Sequence, residues 1–364
     1  MEGTGNISES QNIPGIQREK TNLAKLIKLK YLASDTTGIN RIRERNGFSY
    51  TIENKNITDV DILARIKALR IPPAWEKVWI CKEEEGHLQA TGFDKLNRKQ
   101  YIYHPDWNLI SSRTKFKKLL QFSSCLPKIR KAISKDLALP GFPKEKILAA
   151  VVSILEHSHI RIGNTNYEKL YGSFGLTTLK NRHVKLNGNQ ILFQFKGKKG
   201  IYHNIALKSV KLARLIRACK ELPGKDLFQY VDETKQVHQI QSGMVNDYIQ
   251  KITGMDFTAK DFRTWSGSLI AVEEFIKIGG FETESEKKQK MIEVYDKVAA
   301  HLGNTRSVCK KYYIHPAVPQ LYDEGKLGFF VNKDEKNNGK TSKYGLSAEE
   351  WILKQILLKF NKEY

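Results

Sequence analysis

The chain of 364 residues carries 61 Lys and Arg against 39 Asp and Glu, a formal charge of +22. Its length suits two domains, and 40% hydrophobic with 27% charged residues excludes global disorder. The longest uncharged apolar run, 147–155, is too short for a membrane span, and residues 1–20 contain no apolar signal core, so a cytoplasmic chain is expected. Cys81, Cys125, Cys219 and Cys309 form no CxxC pair, which argues against a structural zinc site and for buried free thiols.

In chain order, residues 1–20 form a polar tail expected to be disordered. Residues 21–105 predict a small β-rich domain. Asn46-Gly47 marks a hairpin turn before an alternating run, and Glu85-Gly86 and Leu96-Asn97 mark further turns. Between them 59–69 predicts a short amphipathic helix, stopped before Pro72-Pro73. After Tyr103 the period becomes helical, at 115–122 and at 147–155. Alternation over 183–207 predicts a small antiparallel sheet with turns at Asn187-Gly188 and 197–200. Helices resume at 208–221 and 242–252. Thr258-x-x-Asp261 and Thr283-x-x-Glu286 then open two more, to about 279 and 302. These elements make 106–327 a larger, mainly helical domain; 328–364 reads as a polar linker with a final helix near 347–360.

The positive charge is concentrated. Residues 164–220 hold twelve Lys and Arg against Glu168 alone, and residues 110–135 hold eight with no acid. Such density repels itself unless it faces a polyanion. Tyr101, Tyr103, Tyr167, Tyr171 and Tyr202 lie in or beside the charged stretches, which favours nucleic acid over a membrane surface. Three motifs carry no chemistry. Gly339-Lys340-Thr341 lacks the upstream glycine of a phosphate loop, His157 and His159 have no cysteine nearby, and Asn56-Ile57-Thr58 matters only in a secreted chain.

What remains is a dispersed set of cations and one tyrosine. Arg161 lies in HIRIGN, Lys198 at the tip of FQFKGKKG, Arg263 in KDFRTWSG, and Asn304 and Tyr313 in LGNTRSVCKKYYIHP. In this order and spacing the series resembles the active site of type IB DNA topoisomerases of the poxvirus-like and bacterial branch. The resemblance covers most of 30–325 and includes TLKNRHV and the small-domain segment GFDKLNRKQYIYH.

The resemblance implies Tyr313 as nucleophile, Arg161 and Arg263 as transition-state stabilisers, Lys198 as general acid and Asn304 as a phosphoryl hydrogen-bond donor. The residue types suit that chemistry. A phenol with a pKa near ~10 needs orientation beside strong phosphate polarisers, and two guanidiniums bind non-bridging oxygens bidentately. Poxviral and nuclear members carry His where this chain has Asn304, so a proton shuttle is not expected there. Family spacing selects Tyr313 over its neighbour Tyr312. Arg98, Gln100, Tyr101, Tyr103, Tyr167 and Lys260 match DNA-contacting positions.

The implied architecture is α+β, a small β-rich domain and a larger helical catalytic domain closing as a clamp around double-stranded DNA. The implied enzyme is a nucleoid-associated monomer needing no metal, ATP or other cofactor, and it relaxes positive and negative supercoils through a 3′-phosphotyrosyl intermediate. A tyrosine recombinase and an inactive DNA-binding relative are the alternatives. The first normally has a His-x-x-Arg box, where this chain has Lys260 in AKDFRTW.

Overall fold

A computed structural model describes Thr21, Ala24, Lys25 and residues 27–335 and 343–360. The expected tail over 1–20 and the polar segment 336–342 lie outside these residues. The chain divides into two compact units, Met1–Lys115 and Phe116–Tyr364.

The first unit is built on an antiparallel sheet of β1 (Ile39–Glu44), β2 (Gly47–Ile52), β3 (Lys55–Asn56), β4 (Glu76–Ile80), β5 (Leu88–Phe93) and β6 (Lys99–Tyr103). Their order is β3-β2-β1-β4-β5-β6. Glu44 pairs with Gly47, so the two-residue turn is Arg45-Asn46, one position earlier than expected. Gly47 takes φ +142°, which its missing side chain permits. Helix α1 (Val60–Ala68) begins where Asp59 Oδ1 accepts from the amides of Asp61 and Ile62 at 2.9 and 3.0 Å. It buries Ile66 with Ile39, Val78, Ile80 and Ala90.

Helix α2 (Pro105–Asp136) begins in the first unit and continues into the second. Periodicity revealed only its 115–122 stretch. Pro105 sits at the first helical position, where no amide is needed, and Pro127 is carried within the helix. Buried Phe122, Leu126, Ile129 and Ile133 anchor that region to the core. Helix α3 (Lys144–Ser158) is apolar nearly all round because 147–155 is buried throughout.

After α4 (Thr165–Tyr171) come β7 (Val184–Asn187), β8 (Gln190–Lys196) and β9 (Tyr202–Lys208), a three-stranded antiparallel sheet. Helix α5 (Val210–Cys219) follows, then the hairpin β10 (Gln229–Val231) and β11 (Val237–Gln239), then α6 (Ser242–Thr253). Helix α7 (Ala259–Ile278) starts at the expected Thr258, whose amide donates to Asp261 Oδ2 at 2.8 Å. Helix α8 (Glu284–Leu302) is capped by Thr283 Oγ1, which accepts from the Glu286 amide at 3.1 Å. Glu286 Oε2 reaches the amide of Glu282 rather than closing a capping box.

Short helices α9 (Arg306–Tyr312), α10 (Ala317–Asp323) and α11 (Gly328–Glu335) follow, and α12 (Ala348–Phe360) lies against the core. The backbone is helical from Gly328 through Glu335, where the start of a polar linker was expected. Cys81, Cys219 and Cys309 are buried and Cys125 is partly so, all as free thiols.

Candidate active site

Arg161, Lys198, Arg263, Asn304 and Tyr313 all belong to the second unit. Helix α3 ends at His159, whose left-handed backbone (φ +56°) turns the chain into Ile160–Gly163. That segment is locked against a second strand of chain. The amide of Leu176 donates to Arg161 O at 2.9 Å and that of Thr177 to Ile162 O at 2.8 Å. A methyl placed on Gly175 would fall 2.5 Å from Arg161 O, so glycine is required for the approach.

Arg161 and Arg263 both dock on carbonyls at the C-terminal end of α8. Arg263, in the second turn of α7, is only 5% exposed. Its Nη2 donates to Leu302 O at 2.8 Å, and its Nη1 donates to the carbonyl of His159. Arg161 Nη2 donates to Gly303 O at 3.0 Å and to Asn304 Oδ1 at 2.6 Å. Helix-end carbonyls have no partner within their own helix, so they satisfy cations without neutralising them.

Thr305 caps α9 through the Val308 amide at 3.4 Å, and Tyr313 terminates that helix with its amide on Cys309 O at 2.9 Å. Helix α7 fixes the Tyr313 backbone. A methyl on Gly267 would meet Tyr313 Cβ and O at 2.8 Å, and Ser268 Oγ donates to Tyr313 O at 3.1 Å. Ser268 Oγ also accepts from the His315 amide at 2.9 Å. Arg263 Cζ lies 5.4 Å from the Tyr313 ring centre, whereas Tyr312 is 41% exposed.

Among the described residues no carboxylate pairs with Arg161 or Arg263. Arg161 Nη1, Arg263 Nε and Asn304 Nδ2 are buried donors without a partner among the described residues. The Asn304 amide has its acceptor end occupied by Arg161, which leaves its donor end available. Burial, reinforced by Arg263, pulls Arg161 down to about 10. Burial likewise lowers Arg263, and the Tyr313 hydroxyl opposes that shift. The Cys309 thiol beside them is pushed up to about 11 by burial despite both guanidiniums, so it stays protonated. Buried N–H donors, excess positive charge and a hydroxyl in one place form a site for an oxyanion.

Arg161, Arg263, Asn304 and Tyr313 therefore converge. Lys198 stands exposed on the turn between β8 and β9. Tyr167 is 45% exposed on α4, and Lys260 is exposed in the first turn of α7. In the first unit Tyr101 and Tyr103 share the outward face of β6, stacked with centres 6.0 Å apart. Strand alternation puts Gln100 on the opposite face. Its Nε2 donates to Asp94 Oδ2 at 2.9 Å, and Arg98 Nε donates to the same oxygen at 2.7 Å. Sequence reasoning missed Gly267 and Ser268, because their contacts with Tyr313 bridge sequence gaps.

The chain belongs to the type IB DNA topoisomerase family, and it is an enzyme of that isomerase class. The family model described as "Eukaryotic DNA topoisomerase I, catalytic core" matches residues 105–327. A second, "Bacterial DNA topoisomerase IB, N-terminal domain", matches residues 47–94. Among individual proteins, the DNA topoisomerase 1B of Acanthamoeba polyphaga mimivirus is 30% identical over 304 residues, covering 80% of this chain and 90% of that protein. The DNA topoisomerase I of monkeypox virus is 22% identical, covering 71% of this chain and 79% of its own length. The DNA topoisomerase 1 of rabbit fibroma virus is 27% identical over 62% of this chain and 69% of its own. Among the described residues no helix is long and apolar enough to cross a membrane.

Proposed function

We propose that this topoisomerase relaxes positive and negative supercoils by transient cleavage of one strand through a 3′-phosphotyrosyl intermediate on Tyr313. The observation that carries the reading is the set of buried, unpartnered donors on Arg161, Arg263 and Asn304 beside that tyrosine. In the forward step the Tyr313 hydroxyl gives up its proton to solvent water and its oxygen bonds to a backbone phosphorus as the bond from that phosphorus to the 5′-oxygen breaks. Arg161 Nη1, Arg263 Nε and Asn304 Nδ2 receive the charge that builds on the non-bridging oxygens. Lys198, on its exposed turn, gives a proton to the leaving 5′-oxygen.

Resealing reverses these steps. The phosphotyrosine conserves the energy of the broken bond, so the cycle consumes no ATP, and the cationic cluster takes the charge-neutralising part that a metal ion plays elsewhere. The two units close as a clamp on double-stranded DNA in the cytoplasm, with the enzyme acting as a monomer. Arg98, Gln100, Tyr101 and Tyr103 contact the duplex from the small unit, and Tyr167 and Lys260 contact it near the cleaved phosphate. The outward stacked pair Tyr101 and Tyr103 supports the first of these assignments. Arg98 and Gln100 must exchange or share Asp94 to reach DNA.

The test is relaxation of supercoiled plasmid in EDTA without ATP, comparing the wild type with Tyr313→Phe. Ladders of relaxed topoisomers from the wild type alone support the scheme. Adduct persisting in Tyr313→Phe but lost in Tyr312→Phe would move the nucleophile to Tyr312.

A further inference from the structure

We propose that His203 is a positioning residue of the active site, a wedge that sets the Lys198 turn against the Gly303-Asn304 loop. The inference rests on the transesterification scheme above and adds to it a residue outside the five-residue set. His203 on β9 pairs with Phe195 on β8, and the two rings stack with centres 5.0 Å apart. The other edge of the imidazole meets two glycines from separate parts of the chain. A methyl on Gly197 would lie 2.5 Å from His203 Cδ2 and 2.6 Å from Nε2. One on Gly303 would lie 2.6 Å from Cε1. Both distances are shorter than van der Waals contact allows, so the ring occupies the space that a side chain would need.

These glycines adjoin the proposed machinery. Gly197 immediately precedes Lys198 and closes the turn by donating its amide to Ile201 O at 2.7 Å. Gly303 precedes Asn304 and accepts from Arg161 Nη2. One rigid ring thus bears on the neighbours of the proposed acid, of an arginine and of the amide donor. Burial, with Arg161 and Arg263 adding to it, lowers the His203 pKa, so the wedge stays uncharged beside two guanidiniums.

Gly197 offers a clean test because its φ is −94°, a value that alanine also adopts, and its close contact is the His203 ring. Gly303 has φ +57° and would be strained by any side chain. Gly197→Ala, His203→Ala and the double variant are compared in single-turnover cleavage of duplex DNA. Non-covalent affinity is measured for each in a Tyr313→Phe background, and melting temperature is measured for all. Gly197→Ala should cleave about 100-fold more slowly with DNA affinity nearly unchanged, since small displacements cost rate more than binding. The double variant should regain about tenfold by removing the clash, a coupling expected only of residues in contact.

A double variant no faster than Gly197→Ala, or a His203→Ala enzyme as fast as wild type, overturns the proposal. If Gly197→Ala does not fold, recovery of folding in the double variant supports the wedge and continued failure overturns it. Wild type forming no covalent adduct would instead sink the transesterification scheme. The wedge would then stand or fall on whether the double variant restores the melting temperature lost in Gly197→Ala.

Discussion

Two regions of the helical unit bury arginine, and they treat it oppositely. Arg130 on α2 is closed by carboxylates. Its Nε donates to Glu156 at 2.8 Å and its Nη2 to Glu350 at 2.7 Å, with Nη1 reaching the second Glu350 oxygen at 3.0 Å. Burial would lower this guanidinium, but Glu350 and Glu156 outweigh it and hold the pKa above its ordinary value. Glu350 also accepts from Trp265 Nε1 at 3.3 Å, which ties α12 to α7. Arg161 and Arg263 have carbonyl partners and Asn304 Oδ1 instead, and their pKa values fall. A buried guanidinium matched by carboxylates is a strut whose field is cancelled. One held by helix-end carbonyls keeps its field for an incoming anion.

The largest break in this comparison is expected at the proposed nucleophile. Tyr313→Phe removes the proposed attacking oxygen and leaves the arginine pair in place, so DNA cleavage should fall by roughly 10⁴-fold or more. Loss of the protein–DNA adduct on a denaturing gel checks it. Arg263→Lys keeps a charge and loses the planar fork, and should slow single-turnover cleavage by roughly 10²–10³-fold. An enzyme within tenfold of wild type would show that charge alone suffices.

The strut should behave in the opposite way. Glu350→Gln leaves Arg130 undercompensated at a site where its side chain is 22% exposed and that of Glu350 is 6% exposed. It should lower unfolding free energy by about 3 kcal/mol while the folded fraction cleaves at a near-normal rate. Denaturant unfolding beside single-turnover kinetics separates the two. Asn304→Ala should cost about tenfold in cleavage through loss of one neutral donor. Asn304→His tests the same position for proton transfer. A much faster variant with a new titration near ~6.5 would restore a shuttle role.

The smallest effect concerns a buried group with no charge to share. Burial holds the His315 imidazole down to about 4, while in the unfolded chain it titrates near 6.5. Below pH 6.5 the unfolded state therefore binds the extra proton, and stability falls as pH falls toward the folded value. The first unit of that descent should cost roughly 1 kcal/mol. Melting curves at pH 6.5 and 5.5 should show a shallower loss in His315→Asn.

Local chemistry made much of the fold legible. Asp59, Thr258 and Thr283 marked helix starts, alternation marked β7 to β9, and the apolar run 147–155 marked a buried helix. Long-range compensation hid other elements. Helix α2 is polar along much of its length and contains Pro127, so its 32-residue extent depends on the core that receives Phe122 and Leu126. The short strands β10 and β11 gain their order from pairing with each other, which composition does not record.

The sequence by itself determined the charge surplus, the succession of elements and the ordered motifs holding Arg161, Lys198, Arg263, Asn304 and Tyr313. Those properties lie in single residues and their neighbours. Only the tertiary structure decided that Arg263 would rest on His159 and Leu302, that Arg161 would hold the Asn304 amide by its oxygen, and that Gly267 and Ser268 would seat Tyr313. It also decided that His203 would fill the space beside Gly197 and Gly303. Such pairings join segments up to 143 residues apart, and close packing, which no local pattern encodes, chooses them.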